Sequence, residues 1–437
     1  MVENIKEFPY LYDIDDHPPF YYSILYGLQW AFITFPAVII AATICGVALD
    51  LGLQGNIRFL QFTLLTTGLF TSIQTLWGHR YPLVEGPSTA VILTFILLAP
   101  YGLPAIQGGT IIGGILLILT VFSNQLERVL RLFTPNVVGV ILMLIAFGLL
   151  SPLLRFLTGV DKAHPQGEAL TLIISLALIL FIATLSYRLK GFWKTISILL
   201  GMIVGSLVFL LLGRLNWQSL TTASWIAFSA RWVQSAPGFY WPAAIAFACA
   251  YIAVMVNTLG SLQGTAAITD KERLPGATRR GILVNGVAGL SCGLLGVVGT
   301  VSFSSSPGVI LVNRVASRYA VTYCGVILLM AAFFPKLAAL LALVPAPVVG
   351  AALCVAMGGQ VGAGIAIIAS KQLTSRDYFV VGLPLLLGTL AGFFPPRLFE
   401  DLPGFSQVFL GNSLIMGIVT VLLLEHLLWR EKAQVKK

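Results

Sequence analysis

Two prolines interrupt apolar stretches of the chain in a way that could build a site for a small molecule. Pro87 follows Glu85 and Gly86 and precedes a short apolar run, and Pro307 follows a cluster of serines and precedes another. Each run can reach only part-way across a bilayer, which takes about 20 residues. Because proline suits the first turn of a helix, we expect a short helix to begin at Pro307 and a similar one after Pro87.

A helix that starts inside a membrane leaves backbone N–H groups unpaired and presents a partial positive charge. Such a start is tolerated only where it lines a cavity or is buried in protein, and paired interrupted segments form the binding sites of many transporters. The serines before Pro307 are expected to cap their helix, with Arg314 and Arg318 at its far end, in or near water. The predicted binding residues at the two breaks are Gly86, Ser88, Thr89, Phe303, Ser304, Ser305, Ser306 and Gly308.

A polar stripe marks one further apolar segment. Asn257, Ser261 and Thr265 recur every four residues and therefore share one face of a helix. Asn257 either binds substrate through its amide donor and acceptor or bonds a neighbouring helix, as Asn and Ser often do in membrane bundles; beside two short helices we favour binding. Gln29, in the first segment, has the same two readings.

Composition places the chain in the membrane. Of its 437 residues, 57% are hydrophobic and only 10% charged, whereas charged residues approach a quarter of a soluble protein. The acidic first twenty residues contain no apolar core, so we expect no cleavable signal peptide and a cytoplasmic N-terminus. Most of the 26 Lys and Arg residues then fall on the cytoplasmic side, so the net charge of +9 is explained by topology and not by nucleic-acid binding.

The apolar runs divide into two sets of seven. This pattern predicts an all-α polytopic membrane protein with a cytoplasmic tail (1–23), a first repeat (24–212), a connecting loop (213–239), a second repeat (240–429) and a cytoplasmic tail (430–437). An echo of residues 136–139 at 347–350 also favours two structural repeats. The fourteen segments are 24–48, 54–77, 88–98, 105–123, 135–153, 169–187, 193–212, 240–265, 281–299, 307–313, 320–342, 347–369, 377–394 and 407–429.

Other classes of function lack the residues they need. The four histidines lie in loops or near segment ends, and the sequence contains no paired carboxylates, no metal-ligand spacing and no Ser/His/Asp set. The five cysteines lie in apolar segments without CxxC spacing and are expected to be inert thiols. We therefore expect neither an enzyme nor a cofactor.

Several motifs together resemble the nucleobase:cation symporter-2 family, also called nucleobase–ascorbate transporters. They lie at residues 80–86, 132–139, 335–338, 344–350, 375–377 and, most specifically, 308–318. The resemblance implies an inverted seven-plus-seven repeat with core and gate domains, and a substrate held between short strands in segments three and ten. It also implies a homodimer in the cell membrane and proton- or sodium-coupled uptake of uracil, xanthine, urate or a relative.

The chain departs from that family at residues that bind ligand. Asn257 stands where the family usually has an acid, and Ser261 where an acid or a histidine is common. Ser305 and Ser306 replace Glu or Gln followed by Asn, and Thr89 replaces a phenylalanine, while Phe303 keeps an aromatic ring near the site. Gln29 matches the family's first-helix glutamine, but Trp30 stands where histidine is common.

These departures leave Glu85 as the one carboxylate near the site. An acid buried in the membrane is a candidate for recognition or ion coupling, although a segment-boundary position in contact with water is the alternative. The leading hypothesis is a secondary transporter for a flat, hydrogen-bonding solute such as a purine, pyrimidine or ureide. The competing hypotheses are an anion transporter of the sulfate-permease type on the same fold and an uncoupled facilitator.

Overall fold

Helices make up nearly all of the ordered structure. The computed structural model describes residues 10–123, 126–160, 164–215, 217–227, 235–395, 398, 402 and 404–429. The first nine residues of the predicted tail 1–23, the whole predicted tail 430–437 and part of the predicted loop 213–239 lie outside these residues.

The first half of the described chain contains one short strand among eleven helices. These are α1 (Phe20–Ala48), α2 (Gly52–Leu76), β1 (Glu85–Pro87), α3 (Thr89–Leu98), α4 (Leu103–Phe122), α5 (Leu126–Leu130), α6 (Pro135–Gly148), α7 (Leu150–Thr158), α8 (Ala169–Arg188), α9 (Gly191–Thr195), α10 (Ser197–Leu211) and α11 (Gln218–Thr222).

The second half of the described chain also contains one short strand, among nine helices. Its elements are α12 (Trp241–Ile268), α13 (Leu274–Leu295), β2 (Thr300–Ser302), α14 (Ser306–Asn313), α15 (Arg318–Ala331), α16 (Pro335–Ala342), α17 (Ala346–Ile368), α18 (Ser375–Ala391), α19 (Gly404–Gly411) and α20 (Ser413–Leu423).

The two strands pair with each other in the middle of the molecule. They run antiparallel, with Glu85 opposite Ser302 and Pro87 opposite Thr300. Each strand leads directly into a short helix, α3 or α14. The predicted pair of interrupted segments, each entered through a short extended strand, is therefore present, and the two breaks meet although they are far apart in the sequence.

The long helices pack into two groups. In the strand-bearing bundle, α4 packs against α12 and α13, and α15 packs against α1 and α2. In the second bundle, α17 packs against α6, α7 and α8, and α20 packs against α6 and α18. The bundles touch where α1, α3, α12 and α14 meet helices of the second group, so both short helices lie at or near the boundary.

The helices agree with the predicted segments in position more than in length. Six helices, or seven if the bent pair α15–α16 counts as one, are long and apolar enough to span a bilayer. The predicted segment 320–342 was wrong as a single helix, because the chain turns by 95° before Pro335 begins α16. The count of fourteen crossings stays a prediction.

An N-terminal strap, residues 10–17, covers the end of α14. Tyr12 forms an isolated parallel bridge with Val315, and the Asp15 carboxylate pairs with Arg318 at 2.7 Å and with Arg273 at 2.9 Å. These hydrogen bonds hold the pKa of Asp15 below its usual value, and the bond from Arg273 has the largest effect. Arg318 was expected in or near water, but it is buried, because its guanidinium also donates to the Thr75 carbonyl at the end of α2.

Candidate functional site

The strand pair has two faces with different side chains. Successive residues of a strand point to opposite sides, so Glu85 and Ser302 share one face while Gly86 and the residue after β2, Phe303, share the other. The ladder continues past the strands, because the Phe303 amide donates to the Val84 carbonyl at 2.9 Å. We call these sides the Glu85 face and the Phe303 face.

The Phe303 face presents an aromatic ring and accessible backbone. The half-buried Phe303 ring lies over Gly86 so closely that a Cβ on Gly86 would lie 2.1 Å from Phe303 Cζ. Beyond the ring, Ser304 and Ser305 are exposed, and a Cβ on Gly308 would meet nothing within 4 Å. The first turn of α14 therefore opens onto free space.

Both short helices begin with unpaired backbone donors. Within the described part of the chain, the amides of Thr89, Ala90, Val91 and Gly308 have no backbone acceptor. Ser88 is buried and fixes the start of α3, since its amide donates to the Gly299 carbonyl at 2.9 Å. The β1–β2 pairing brings these two positively polarised helix starts together, which suits a ligand with carbonyl oxygens or negative charge.

The serines before Pro307 do not cap α14, contrary to the prediction. Ser305 has helical dihedral angles (φ −77°, ψ −17°) and makes no side-chain capping bond, whereas a capping residue normally has extended backbone. Ser306 is fully buried, and its hydroxyl has no partner among the described residues. The start of α14 is thus left unsatisfied by its own side chains.

Helix α12 places its polar stripe beside β2 and α14. The buried Ser261 hydroxyl lies 2.8 Å from the Ser302 carbonyl oxygen and 2.9 Å from the Asn257 carbonyl oxygen, so its proton is used within the protein. A Cβ on Gly264 would contact Pro307 at 3.4 Å. Asn257, half-buried and one turn before Ser261, makes no side-chain hydrogen bond within the described ranges and remains free to bind a ligand.

The structure does not bring Gln29 together with these residues. Its amide donates to Asn313 at 2.9 Å and lies 3.4 Å from the Thr195 hydroxyl of α9. Asn313 ends α14, about 10 Å along the axis from the first turn. Gln29 thus bonds a neighbouring helix, the second of the two readings of its sequence.

Glu85 points away from the Phe303 face and lies beside His79, a residue that the sequence analysis did not select. Both side chains are fully buried, and His79 Nε2 lies 3.8 Å from Glu85 Oε1, which also accepts a hydrogen bond from the Ser302 hydroxyl. His79 follows the end of α2 in a loop, a position that suggested an ordinary segment end. Burial of Glu85 also excludes the alternative of a boundary carboxylate in water.

A cavity of about 460 Å³ lies at the other end of α3. It is lined from the strand-bearing bundle by Ala48, Leu97 and Pro100, and from the second bundle by Arg155 and Asn412. A ten-residue helix is about 15 Å long, so this cavity is separate from the strand pair. It lies in the gap between the bundles.

The described residues contain no group of three or more His, Cys, Asp or Glu side chains that could hold a metal ion. What the site offers instead is backbone N–H groups, one free amide side chain and one aromatic ring. These groups have the chemistry to bind a planar polar molecule.

Comparison with known proteins finds permeases that match nearly the whole chain. The model of the xanthine/uracil permease family, described as "Permease family", matches residues 22–396. The chain is 28% identical over 408 residues to the uric acid permease PucK of Bacillus subtilis (strain 168), covering 92% of this chain and 94% of the relative. It is 26% identical to the uric acid transporter UacT of Escherichia coli (strain K12), covering 92% and 85%, and 23% identical to the xanthine permease of Bacillus subtilis (strain 168), covering 91% and 92%.

Solved structures show the same fold at low sequence identity. The transmembrane domain of a cyanobacterium bicarbonate transporter, BicA, superposes with a TM-score of 0.60 at 13% identity and covers 93% of this chain and 98% of that one. The murine anion transporter Slc26a9 in the inward-facing state gives 0.58 at 13% identity, covering 93% and 69%. At this identity the likeness concerns the fold alone.

The family match, the membrane-spanning helices and the paired strands agree with one another. The relatives are permeases and not enzymes, as the sequence predicted. This chain is a multi-pass membrane protein that belongs to the xanthine/uracil permease family.

Proposed function

We propose that the chain is a secondary transporter for a purine such as uric acid or xanthine, bound on the Phe303 face between the starts of α3 and α14. The observation that carries the proposal is the β1–β2 pairing, which brings the unpaired amides of both helix starts together beside Asn257. The printed names of the relatives, which include uric acid and xanthine permeases, support the choice of solute class.

Each group on this face has a match in an oxopurine. The backbone donors of α3 and α14 suit its carbonyl oxygens, and the Asn257 amide suits an edge with one N–H and one carbonyl. The Phe303 ring can stack on a flat heterocycle. The absence of a carboxylate on this face, among the described residues, also fits a solute that carries partial negative charge.

Transport then requires the site to face each side of the membrane in turn. The two bundles meet beside the short helices, and the gap between them contains the 460 Å³ cavity. Rocking of one bundle against the other around a fixed site is the usual way such folds alternate access. We include in the proposal fourteen crossings in a seven-plus-seven repeat, cytoplasmic termini, a homodimer and coupling to H⁺ or Na⁺.

Uptake into proteoliposomes tests the solute class directly. The panel is labelled uric acid, xanthine, uracil, allantoin, bicarbonate and sulfate, and we expect saturable uptake of an oxopurine that the Asn257→Ala variant impairs. The anion alternative has one observation in its favour, the two positively polarised helix ends with no carboxylate beside them. Uptake of bicarbonate or sulfate alone would establish that alternative and overturn the purine proposal.

A further inference from the structure

The Glu85 face holds an acid and an imidazole that neither solute binding nor the fold requires. Glu85 and His79 are both completely buried, with His79 Nε2 3.8 Å from Glu85 Oε1. Among the described residues, no Lys or Arg pairs with Glu85. An ionised carboxylate without a cationic partner is strongly unfavourable in such a place, and proteins normally avoid it by pairing or by protonation.

The hydrogen bonds around the pair leave room for one more proton. The Tyr81 amide donates to His79 Nδ1 at 3.0 Å, so in the neutral ring the proton resides on Nε2. Within the described residues that Nε2 has no acceptor, and Glu85 Oε2 has no donor. The other carboxylate oxygen, Oε1, is held by the Ser302 hydroxyl.

The surroundings contribute no formal charge that could replace the proton. The strand that carries Glu85 is packed by α1, α2 and β2. The side chains of α2 and β2 that reach this strand or the His79 loop are Thr71, Gln74 and Ser302, all uncharged. Two titratable groups lie close by, Tyr81, 6.5 Å from His79 between ring centroids, and Cys292 of α13. The cations of the neighbouring loops bond elsewhere: exposed Arg80 donates to the Leu76 carbonyl, and Arg273 pairs with the Asp15 and Asp270 carboxylates.

We propose that His79 and Glu85 together bind the single proton that drives solute uptake. That this proton drives uptake rests on the proposed function, whereas the binding of a proton by the pair does not. With neutral His79 and ionised Glu85 the pair has a net charge of −1, and one added proton on the carboxylate brings it to zero; Nδ1 of His79 is occupied by the Tyr81 amide and Nε2 already carries a proton.

The imidazole favours a proton over a sodium ion. His79 Nε2, the nitrogen that carries the ring proton, lies 3.8 Å from the carboxylate, where a metal cation would need a lone pair, and an oxygen-rich shell is what Na⁺ and similar hard cations require. The coupling to solute is structural. Glu85 adjoins Gly86 on one strand and Ser302 adjoins Phe303 on the other, so a shift of either strand on protonation changes the opposite face.

Infrared difference spectroscopy of the purified protein between alkaline and acidic pH tests the proton site without any solute. We expect a protonated-carboxyl C=O band that is lost in Glu85→Gln, shifted in His79→Asn and unchanged in the surface control Glu272→Gln. Glutamine keeps an acceptor for Ser302, and asparagine keeps an acceptor for the Tyr81 amide, so both variants preserve local structure. A band unchanged in both variants would overturn the proposal.

Proteoliposome uptake of labelled uric acid tests the coupling. An inward pH gradient should drive accumulation by the wild type and by Glu272→Gln, whereas Glu85→Gln should exchange uric acid across the membrane but not accumulate it. His79→Asn should shift the pH of half-maximal uptake. Accumulation by Glu85→Gln under a pH gradient, or a wild type driven only by a sodium gradient, would overturn the inference. If the wild type does not take up uric acid, the proposed solute fails, and the infrared result still decides the proton site.

Discussion

The two faces of one small strand pair have opposite surroundings. The Phe303 face has a half-buried ring, exposed Ser304 and Ser305, and backbone amides without acceptors. The Glu85 face is fully buried at Glu85 and His79, and Ser302 donates a hydrogen bond to the carboxylate. The contrast teaches that three residues in each strand can separate an open polar face from a buried one while keeping both on one unit, and the two proposals above assign a solute to the first and a proton to the second.

The largest effect should come from filling the space between Gly86 and the Phe303 ring. In Gly86→Ala the new Cβ would lie 2.1 Å from Phe303 Cζ, so the ring or the strand must move. Overpacking costs about 1–3 kcal/mol. If the position of the ring serves binding, the affinity for uric acid should fall by roughly 5- to 150-fold. Equilibrium binding measures this. Gly382→Ala, where a Cβ meets nothing within 4 Å, is the control; equal affinity in both variants would remove the ring from the site.

A smaller loss of binding is expected from Asn257→Ala. The amide makes no side-chain bond within the described residues, so its two hydrogen bonds are available to the solute, at about 1 kcal/mol each. Their loss predicts roughly 10- to 30-fold weaker binding of uric acid, with an unchanged unfolding temperature. Gln263→Ala, exposed on the same helix, should bind normally. A binder indifferent to Asn257→Ala would move the site away from α12.

Loss of the hydrogen bond between α12 and β2 should affect the stability of the protein more than its affinity for the solute. Ser261→Ala removes the donor to the buried Ser302 carbonyl and should destabilise the fold by about 1 kcal/mol. Thermal unfolding of the purified protein reports this, and Ser291→Ala is the control because half-buried Ser291 bonds only the Val287 carbonyl of its own helix. If Ser261→Ala instead abolished binding at unchanged stability, the Ser261 hydroxyl would belong to the solute site after all.

The smallest effect concerns the strap over the far end of α14. The pKa of Asp15 is lowered in the folded protein, mainly by Arg273, so its stabilisation is present above the unfolded pKa of about 3.9 and is lost as pH falls below that value. Because Asp15 is more than half exposed, we expect Asp15→Asn to cost less than about 1 kcal/mol at pH 7.

Thermal unfolding across pH measures the contribution of the strap. The wild type and Asp15→Asn should differ at pH 7 and converge as the pH falls from about 4 toward 2. Glu168→Gln, which removes the exposed pair with Arg214 away from α14, is the control for loss of a surface ion pair. A difference between wild type and Asp15→Asn that persists at low pH would mean that the charge of Asp15 is not what holds the strap.

Local signals predicted the two short helices well. Proline fixes one backbone angle and lacks an N–H, so Pro87 and Pro307 mark breaks regardless of the rest of the chain. The same reasoning failed where two local rules compete: serines before a proline suggest a cap, but Ser305 adopts helical angles and leaves the helix start open. The apolar run 320–342 was likewise predicted as one segment from its composition, but the chain bends by 95° before Pro335.

Side-chain placement was not predictable, because it depends on pairing between distant strands. The register of Glu85 opposite Ser302 decides that the acid turns away from Phe303, and a shift of one residue would have reversed this. His79 looked like an ordinary residue at a segment end, and only the folded loop buries it beside Glu85. Arg318 was expected in or near water, and only the fold shows that its guanidinium bonds Asp15 and the end of α2.

Accessibility of residue 305 tests most directly whether the solute occupies the Phe303 face. A Ser305→Cys variant, in a background where the half-buried Cys249 and Cys354 are replaced by alanine, is exposed to a hydrophilic thiol reagent with and without uric acid. We predict rapid labelling that saturating uric acid slows at least several-fold, while Ser291→Cys in the same background is labelled equally in both conditions. Uric acid that binds the same sample yet leaves labelling at residue 305 unchanged would contradict the site between α3 and α14.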